Sequence, residues 1–246
     1  MMFERLVDNG FEVLCTNHAE AIVLHDFPDL VGELENALLG ISLPMTEIIG
    51  GGGGEAKMTQ RLRRGLADLH WRKHKFELTK TVDGVAKESI SHEIDHVRRA
   101  DNGTFALEIE WNNKDPFFDR DLENFKRLHA EGAISVGAII TRGSEMQATM
   151  REKVERFAVN RAIQDFTALM DFGAGSPTVP QRRQIESDMA RGISFAKAWS
   201  KKFTSDKFGQ ATTHWLKLQD RVARGVGNPC PLILIGLPSS IIDMTA

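Results

Sequence analysis

Residues 91–113 carry the densest group of side chains in the chain that could perform chemistry. They read SHEIDHVRRADNGTFALEIEWNN. If residues 92–96 form a helix, they match H-E-x-x-H, in which two histidines bind zinc and the glutamate acts as general base. If they form a strand, they are half of a hairpin in which Asp95, Glu108 and Glu110 share one face. The two interpretations predict different metal sites.

The residues that follow favour the strand. Asn102-Gly103 is the strongest two-residue hairpin signal, because both positions of a type I′ turn need positive φ. From Phe105 to Trp111, apolar side chains alternate with Ala106, Glu108 and Glu110, which is the period of two of a strand. A zinc helix would also need to be longer and to have a third ligand. We therefore predict a hairpin that passes through Asp95.

The hairpin turn sets a register for the three carboxylates. With Asn102 and Gly103 as the turn, Asp95 faces Glu110 and Val97 faces Glu108. Opposed Cβ atoms lie about 4.5–5.5 Å apart, so the three acids converge and repel one another unless a cation neutralises them. An all-oxygen ligand set predicts Mg²⁺, with Mn²⁺ as a possible substitute.

Two further roles for these acids stay open at this point. The carboxylates could form the solvated face of an amphipathic hairpin. A pair of carboxylates could also serve a glycosidase. The chain has no Tyr and only four Trp, which leaves few platforms for stacking sugars.

Composition predicts a large buried core that needs no disulfides, in a chain whose length lies near the upper end of one domain or the low end of two. The chain has 246 residues, of which 41% are hydrophobic, and a formal net charge of −3. Its two cysteines, Cys15 and Cys230, are too few for a disulfide framework or a four-cysteine zinc site. No apolar run approaches the roughly 20 residues that span a bilayer. We expect a reduced, cytoplasmic protein without a targeting or membrane segment.

Basic residues cluster in spite of the overall negative charge. Residues 61–75 contain six Lys or Arg and one Asp, and residues 197–207 contain four Lys and one Asp. Each cluster is either a surface for an acidic polymer or a solvated helix face.

Periodicity predicts an alternation of strands and helices. A strand at 11–14 precedes a helix with Leu30, Leu34 and Leu38 on one face. Five glycines, Gly50 to Gly54, lack the Gly-Lys-Ser/Thr of a phosphate loop, so we interpret them as a flexible joint before a helix with Glu55 in its first turn. Further along we predict a helix from Pro116, a buried strand at 134–141, a mostly helical segment at 144–202 and a strand at 231–237.

The core of this pattern resembles a known nuclease family. Asp95 followed by a hairpin and Glu108-x-Glu110 resembles the PD-(D/E)xK nuclease core. LEIEWNNKDPFFDRDLENF, ISVGAIITRG and residues 207–214, KFGQATTH, are similar to the BglII/BstYI type of type II restriction endonuclease. The similarity is dense over 92–143 and 207–237 and weak over 144–206.

The resemblance implies a fold and a domain plan. The fold is α/β (α+β), with a central mixed sheet flanked by helices and a helical insertion. One endonuclease domain spans 1–246. Its parts are an N-terminal strand and helices (1–54), a catalytic core (55–143), the insertion (144–205) and the C-terminal part of the core (206–246).

The resemblance also implies roles for individual residues. Asp95 and Glu108 hold the metal, and Glu110 stands at the third position, where the superfamily usually has Lys. Relatives of BamHI and BglII also replace that Lys, so the departure is compatible with activity, but it leaves the general base unidentified. Lys114, Thr212, Thr213 and His214 are implied as DNA contacts.

The implied activity is Mg²⁺-dependent hydrolysis of double-stranded DNA. Cleavage leaves 5′-phosphates at a palindromic, GATC-related site, and a homodimer places one active site on each strand. A DNA methyltransferase belongs to the same system without forming a stable complex. The alternatives are a repair or junction-resolving nuclease on the same core, a DNA-binding protein with an inert acidic cluster, and the H-E-x-x-H zinc metalloprotease.

Overall fold

A mixed β-sheet forms the centre of the molecule. The computed structural model describes residues 2–51 and 54–245. Within them the strands are β1 (Glu12–Thr16), β2 (Leu43–Pro44), β3 (Arg72–Val82), β4 (Val85–Ala100), β5 (Gly103–Glu110), β6 (Val136–Arg142), β7 (Leu232–Leu237) and β8 (Ile242–Asp243). Six of them form one sheet in the order β1-β7-β6-β5-β4-β3. Strands β5, β6 and β7 are parallel, and the other pairings in this sheet are antiparallel.

Helices cover both faces of this sheet. They are α1 (Glu4–Asp8), α2 (Ala19–Asp26), α3 (Leu30–Leu39), α4 (Met45–Ile49), α5 (Lys57–Asp68), α6 (Pro116–Ala130), α7 (Ser144–Asn160), α8 (Phe166–Asp171), α9 (Val179–Ala190), α10 (Phe195–Lys207) and α11 (Trp215–Ala223), with a 3₁₀ turn at Ser239–Ile241. None of the helices in the described part of the chain is long and apolar enough to span a bilayer. The predicted mixed sheet with flanking helices is confirmed.

Strand β5 separates two hydrophobic cores. Its Phe105, Leu107 and Ile109 enter a large core, while Ala106 enters a smaller one together with residues of α6 and α11. The predicted alternation along this strand is therefore correct. Because both faces are covered, the acidic side chains of β5 point under a helix instead of into solvent.

The β4–β5 hairpin forms, but the predicted register is wrong by two residues. Ala100 pairs with Gly103 and Val97 pairs with Ala106, so the turn residues are Asp101 and Asn102. Gly103 is not at positive φ. It is needed for close approach, because a Cβ there would lie 2.3 Å from Ser135 Oγ. Since the shift is an even number of residues, Val97, Glu108 and Glu110 keep the predicted face.

A second hairpin joins β3 to β4. Its turn is Asp83-Gly84, and both residues have positive φ, as a type I′ turn requires. Val82 pairs directly with Val85 across this turn. The sequence interpretation overlooked this Asp-Gly signal, although the flanking residues alternate as strands do.

The first two glycines of the run pack against another glycine-rich segment. Gly51 donates its amide to the carbonyl of Gly173 at 3.0 Å, and a Cβ on Gly51 would lie 2.7 Å from Gly175 Cα. Gly52 and Gly53, the middle of the predicted joint, lie outside the described residues. Helix α5 begins at Lys57, two residues after Glu55.

The segment predicted as an insertion is helical, as expected. Met146, Met150, Val154 and Phe157 of α7 belong to the large core, and α10 packs against α7. Its status as an insertion, like the boundaries of the four parts of the chain, stays a prediction.

Gly137 allows α6 to lie close to β6, and we expect Gly137→Ala to destabilise the fold. The added Cβ would lie 2.6 Å from Phe125 Cδ2. Overpacking of this kind costs about 1–3 kcal/mol. The free energy of unfolding, measured in urea, should fall by that amount.

Gly65→Ala is the matched control. Gly65 lies within α5, and a Cβ added there would meet no atom of the described residues within 4 Å. This change should raise stability by about 0.5–1 kcal/mol, because Ala favours the helix. Equal effects of the two substitutions would contradict a tight approach of α6 to β6.

Candidate active site

Two acidic side chains project from the buried face of β5. Glu108 and Glu110 alternate with Ile109 and lie on the face covered by α6. A third carboxylate, that of Asp121, comes from α6 and is only 1% exposed. All three are buried, so the structure collects three carboxylates between the central strand and one helix.

Asp95 reaches this region through a β-bulge. Arg72 pairs with Val97 and His74 pairs with Ile94, so that Asp95 and His96 together oppose the single residue Lys73. A bulge of this kind bends the strand and re-aims its side chains. The side chain of Asp95 remains 55% exposed, in contrast with the three buried acids.

The bulge also marks the point where β4 separates from β5. The pairing of the two strands ends at His96 and Leu107. At the next position the amide of Asp95 donates to the carboxylate of Glu108, Oε1, over 3.4 Å. Asp95 therefore lies beside Glu108, and not opposite Glu110 as the sequence analysis predicted.

The buried carboxylates have few donors. Asn113 Nδ2 donates to Glu110 Oε2 at 2.5 Å, and Arg120 Nη2 lies 3.4 Å from Glu110 Oε1. Arg120 also donates to Asp121 Oδ1 at 2.8 Å. The other oxygen of Asp121 is buried and accepts no hydrogen bond in the described structure. The half-exposed guanidinium of Arg120 is thus shared by two acids, Glu110 and Asp121.

Burial raises the pKa of each of these acids. It raises the pKa of Glu108 well above its usual range, with further contributions from the charges of Asp121, Asp95 and Glu110. Burial, followed by the charge of Asp121, raises the pKa of Glu110 to about 8. The pKa of Asp121 is raised by burial as well. In the absence of a bound cation, Glu110 is therefore largely protonated at neutral pH.

The donor set suits a hard divalent cation. No three His, Cys, Asp or Glu side chains within 2–51 and 54–245 are arranged as a complete metal site. Mg²⁺, however, needs only one or two carboxylates, because water and substrate phosphate complete its shell. Asp95 and Glu108 are neighbours that carry oxygen donors of this kind, and a cation there would offset the charge that burial disfavours.

Asp95 also lines a large cleft. The cleft has a volume of about 1380 Å³, and its lining includes Lys57, Arg63, Lys73, Asp95, Trp111 and Asn113. Basic side chains around a cleft attract an anionic polymer. The exposed acid of the site is therefore reachable from a cleft lined partly by cations.

A family model decides what kind of protein carries this site. The model of the restriction endonuclease BglII/BglIII family matches residues 11–237. The chain belongs to this family. No curated protein matches the sequence.

Membership defines the class of enzyme. The chain is a type II restriction endonuclease, a hydrolase that cleaves double-stranded DNA at specific sites. Residues 92–96 of this restriction endonuclease lie within β4, so the strand interpretation of H-E-x-x-H is confirmed.

Glu55 lies elsewhere than the sequence analysis placed it. Helix α5 has no acidic residue in its first turn, because Glu55 precedes the N-cap residue Ala56. Its carboxylate receives two 3.2 Å hydrogen bonds from Arg63, and both residues line the cleft with Asp95. The predicted position of Glu55 in the first turn of the helix is therefore wrong.

A buried arginine braces the segments beside the site of the endonuclease. Arg142 donates to Trp111 O at 3.0 Å, to Asn112 Oδ1 at 2.7 Å and to Thr212 Oγ1 at 2.8 Å. Its guanidinium also lies 4.9 Å from the ring centre of Phe208. Burial lowers its pKa to about 9, which still leaves it cationic at neutral pH.

The four implied DNA contacts differ in exposure. Lys114 is exposed and forms a β-bridge with Thr212. Thr213 is buried and accepts the amide of Asn113 at 3.1 Å. His214 is buried at the start of α11, and burial lowers its pKa to about 4. Thr212 and Thr213 hold the segment after β5, and the contact of all four residues with DNA stays a prediction.

Sequence reasoning missed three residues of this site. Asp121 was not identified as a site residue, although Leu122 and Phe125 of the same helix face inward and place Asp121 near the same surface. Asn113 carried no local signal, since it lies beyond the end of β5, three residues after its partner Glu110. Arg142 carried none, since its partner Asn112 is 30 residues away in the sequence.

The raised pKa of Glu110 predicts a pH-dependent stability. A carboxyl whose pKa is higher in the folded state binds more protons when folded, so stability falls as pH rises from about 4.5 through about 8. In EDTA, Glu110→Gln should flatten this decline. At pH 8 the variant should be more stable than the wild type by on the order of a few kcal/mol.

Urea unfolding at pH 5 and pH 8 measures the effect. Glu152→Gln, at an exposed position of α7, serves as the control and should follow the wild type. A Glu110→Gln variant whose stability falls with pH as steeply as that of the wild type would contradict the assignment.

Proposed function

We propose that this restriction endonuclease hydrolyses DNA with Mg²⁺ held by Asp95 and Glu108 and with Glu110 beside the reacting water. The observation that carries the proposal is the group of three buried carboxylates next to the exposed Asp95 at the cleft. Mn²⁺ is the expected substitute, because it also accepts an all-oxygen shell.

Each acid has its own task in the proposed reaction. Asp95, on the bulge, presents an exposed oxygen to the cleft, and Glu108 supplies a buried one. Glu110, fixed by Asn113, orients the attacking water or accepts its proton. When bound, Mg²⁺ supplies positive charge for the phosphate and for the departing oxygen. Water adds to phosphorus in line and gives up a proton to Glu110 or to solvent, the bond to the 3′ oxygen breaks, and that oxygen leaves with the electron pair and takes a proton from solvent.

The products and the target follow from the same proposal. Breakage of the bond to the 3′ oxygen leaves a 5′-phosphate. We expect a palindromic, GATC-related site, cut by a homodimer with one active site on each strand. Lys114, Thr212, Thr213 and His214 are the proposed DNA contacts. A methyltransferase of the same system would protect the host DNA in the cytoplasm without forming a stable complex.

Cleavage of plasmid DNA tests the proposal directly. With Mg²⁺ we expect discrete fragments whose ends are ligatable 5′-phosphates, and with EDTA we expect none. Sequencing of the ends identifies the site. Nicking, or a preference for branched DNA, would favour a repair or junction-resolving nuclease, and binding without cleavage would show an inert acidic cluster.

Asp95→Ala should separate cleavage from binding. Loss of the cleft-facing oxygen should lower the single-turnover rate at least about 100-fold. DNA binding in EDTA, measured by fluorescence anisotropy, should be retained or tightened because a negative charge leaves the cleft.

The matched control for Asp95→Ala is Asp101→Ala. Asp101 lies on the same hairpin, but it is exposed in the β4–β5 turn. Its replacement should leave cleavage unchanged. Full activity of Asp95→Ala would contradict the assignment of Asp95 to the active site.

The homodimer predicts concerted cutting. Sedimentation equilibrium should give twice the chain mass, and a plasmid with one site should become linear without accumulating nicked circles. A monomer at all concentrations, with nicked circles as the first product, would contradict one active site per strand in a stable dimer.

A further inference from the structure

The residue opposite the bulge is a lysine, and it contacts the exposed acid of the site. Lys73 of β3 opposes both Asp95 and His96. Its Nζ lies 2.7 Å from Glu93 Oε1 and 3.5 Å from Asp95 Oδ1. In the described part of the chain, it is the only cation that forms an ion pair with Asp95. The geometry that turns Asp95 toward the cleft therefore also brings an ammonium there.

The ammonium of Lys73 is cationic and free to change partners. Its side chain is 57% exposed, and those of Glu93 and Asp95 are similarly exposed. The hydrogen bond with Glu93 raises the pKa of Lys73. Ion pairs between exposed side chains contribute little to stability, so a phosphate can displace them at small cost.

Two neighbouring cations have carboxylate partners other than Asp95. Arg63 forms two hydrogen bonds with Glu55, and Arg120 is held by Asp121 on the opposite side of the sheet. The side chains that β5 contributes to the site, Glu108 and Glu110, are both acids. A DNA phosphate that approaches Asp95 therefore meets acids on β5 and, in direct contact with Asp95, the ammonium of Lys73 on β3.

We propose that Lys73 binds the phosphate group that is cleaved beside Asp95. The proposal rests on the nuclease function proposed above. A phosphate oxygen replaces the carboxylate of Asp95 as the partner of Nζ, while Glu93 keeps the side chain directed along the rim of the cleft. Asp95 is thereby released to bind the metal ion. Lys73 is then a catalytic residue that stabilises negative charge on the phosphate during hydrolysis.

Lys73→Ala and Lys75→Ala form a matched pair that tests this role. Lys75 lies on the same strand, is exposed to a similar degree and pairs with Glu77 at 2.8 Å. DNA affinity is measured in EDTA over a range of salt concentrations. The single-turnover cleavage rate is measured at saturating DNA and Mg²⁺. Thermal unfolding shows whether each variant folds.

Lys73→Ala should change both quantities. The magnitude of the slope of log affinity against log salt concentration should decrease by about one, as expected for the loss of one phosphate contact. The cleavage rate should fall about 100-fold. Lys73→Arg should keep the slope and recover part of the rate. Lys75→Ala should match the wild type in both measurements.

Three results would overturn the proposal. A Lys73→Ala variant with the wild-type rate and slope would show that Lys73 only pairs with Glu93 and Asp95. Equal losses in Lys73→Ala and Lys75→Ala would show general attraction of DNA to the strand. A wild-type protein that cleaves no DNA with Mg²⁺ or Mn²⁺ would instead overturn the nuclease proposal, and the role of Lys73 would fall with it.

Discussion

The need to neutralise carboxylates buried under α6 shapes the surroundings of the central strand. Charges removed from water are costly unless hydrogen bonds, protons or counter-ions compensate them. Glu108, Glu110 and Asp121 meet this need with a backbone amide from the bulge, an amide side chain beyond β5 and one guanidinium. Each of these donors comes from a different segment. Displacement of any segment would leave a buried acid with one donor fewer, so the carboxylates couple the strand, the helix and the loop.

Arg142 imposes a similar constraint from the end of β6. Its guanidinium joins the segment after β5 to the turn before α11, and it does so entirely through neutral oxygen acceptors. Thr213 adds a second link by accepting the amide of Asn113. Asn113, which holds Glu110, is thus positioned from both sides. The parallel strands β5, β6 and β7 bring these distant residues together at one edge of the sheet.

Local patterns predicted the elements of this fold better than their exact pairing. The alternation along β5 gave the faces correctly, because a period of two is visible within a few residues. The predicted register was wrong because Gly103 is a strand residue and not a turn residue. A glycine is needed at this position because a Cβ would collide with Ser135 and Phe27, and no local pattern reveals that these residues are close. The roles of Asp121 and Arg142 were missed for the same reason: both depend on packing between elements far apart in the chain. The Asp83-Gly84 turn was within reach of sequence analysis and was overlooked.

The bulge at Asp95 and His96 makes the length of β4 as important as its composition. Between Ile94 and Val97 this strand holds one residue more than β3 does. Loss of one residue there would restore regular pairing and change which side chains face the cleft, even if every acid were retained. Paired additions or losses at the Asp83-Gly84 tip would leave the register near Asp95 intact. As related sequences diverge, insertions and deletions should therefore accumulate at the tip of the hairpin and avoid its base.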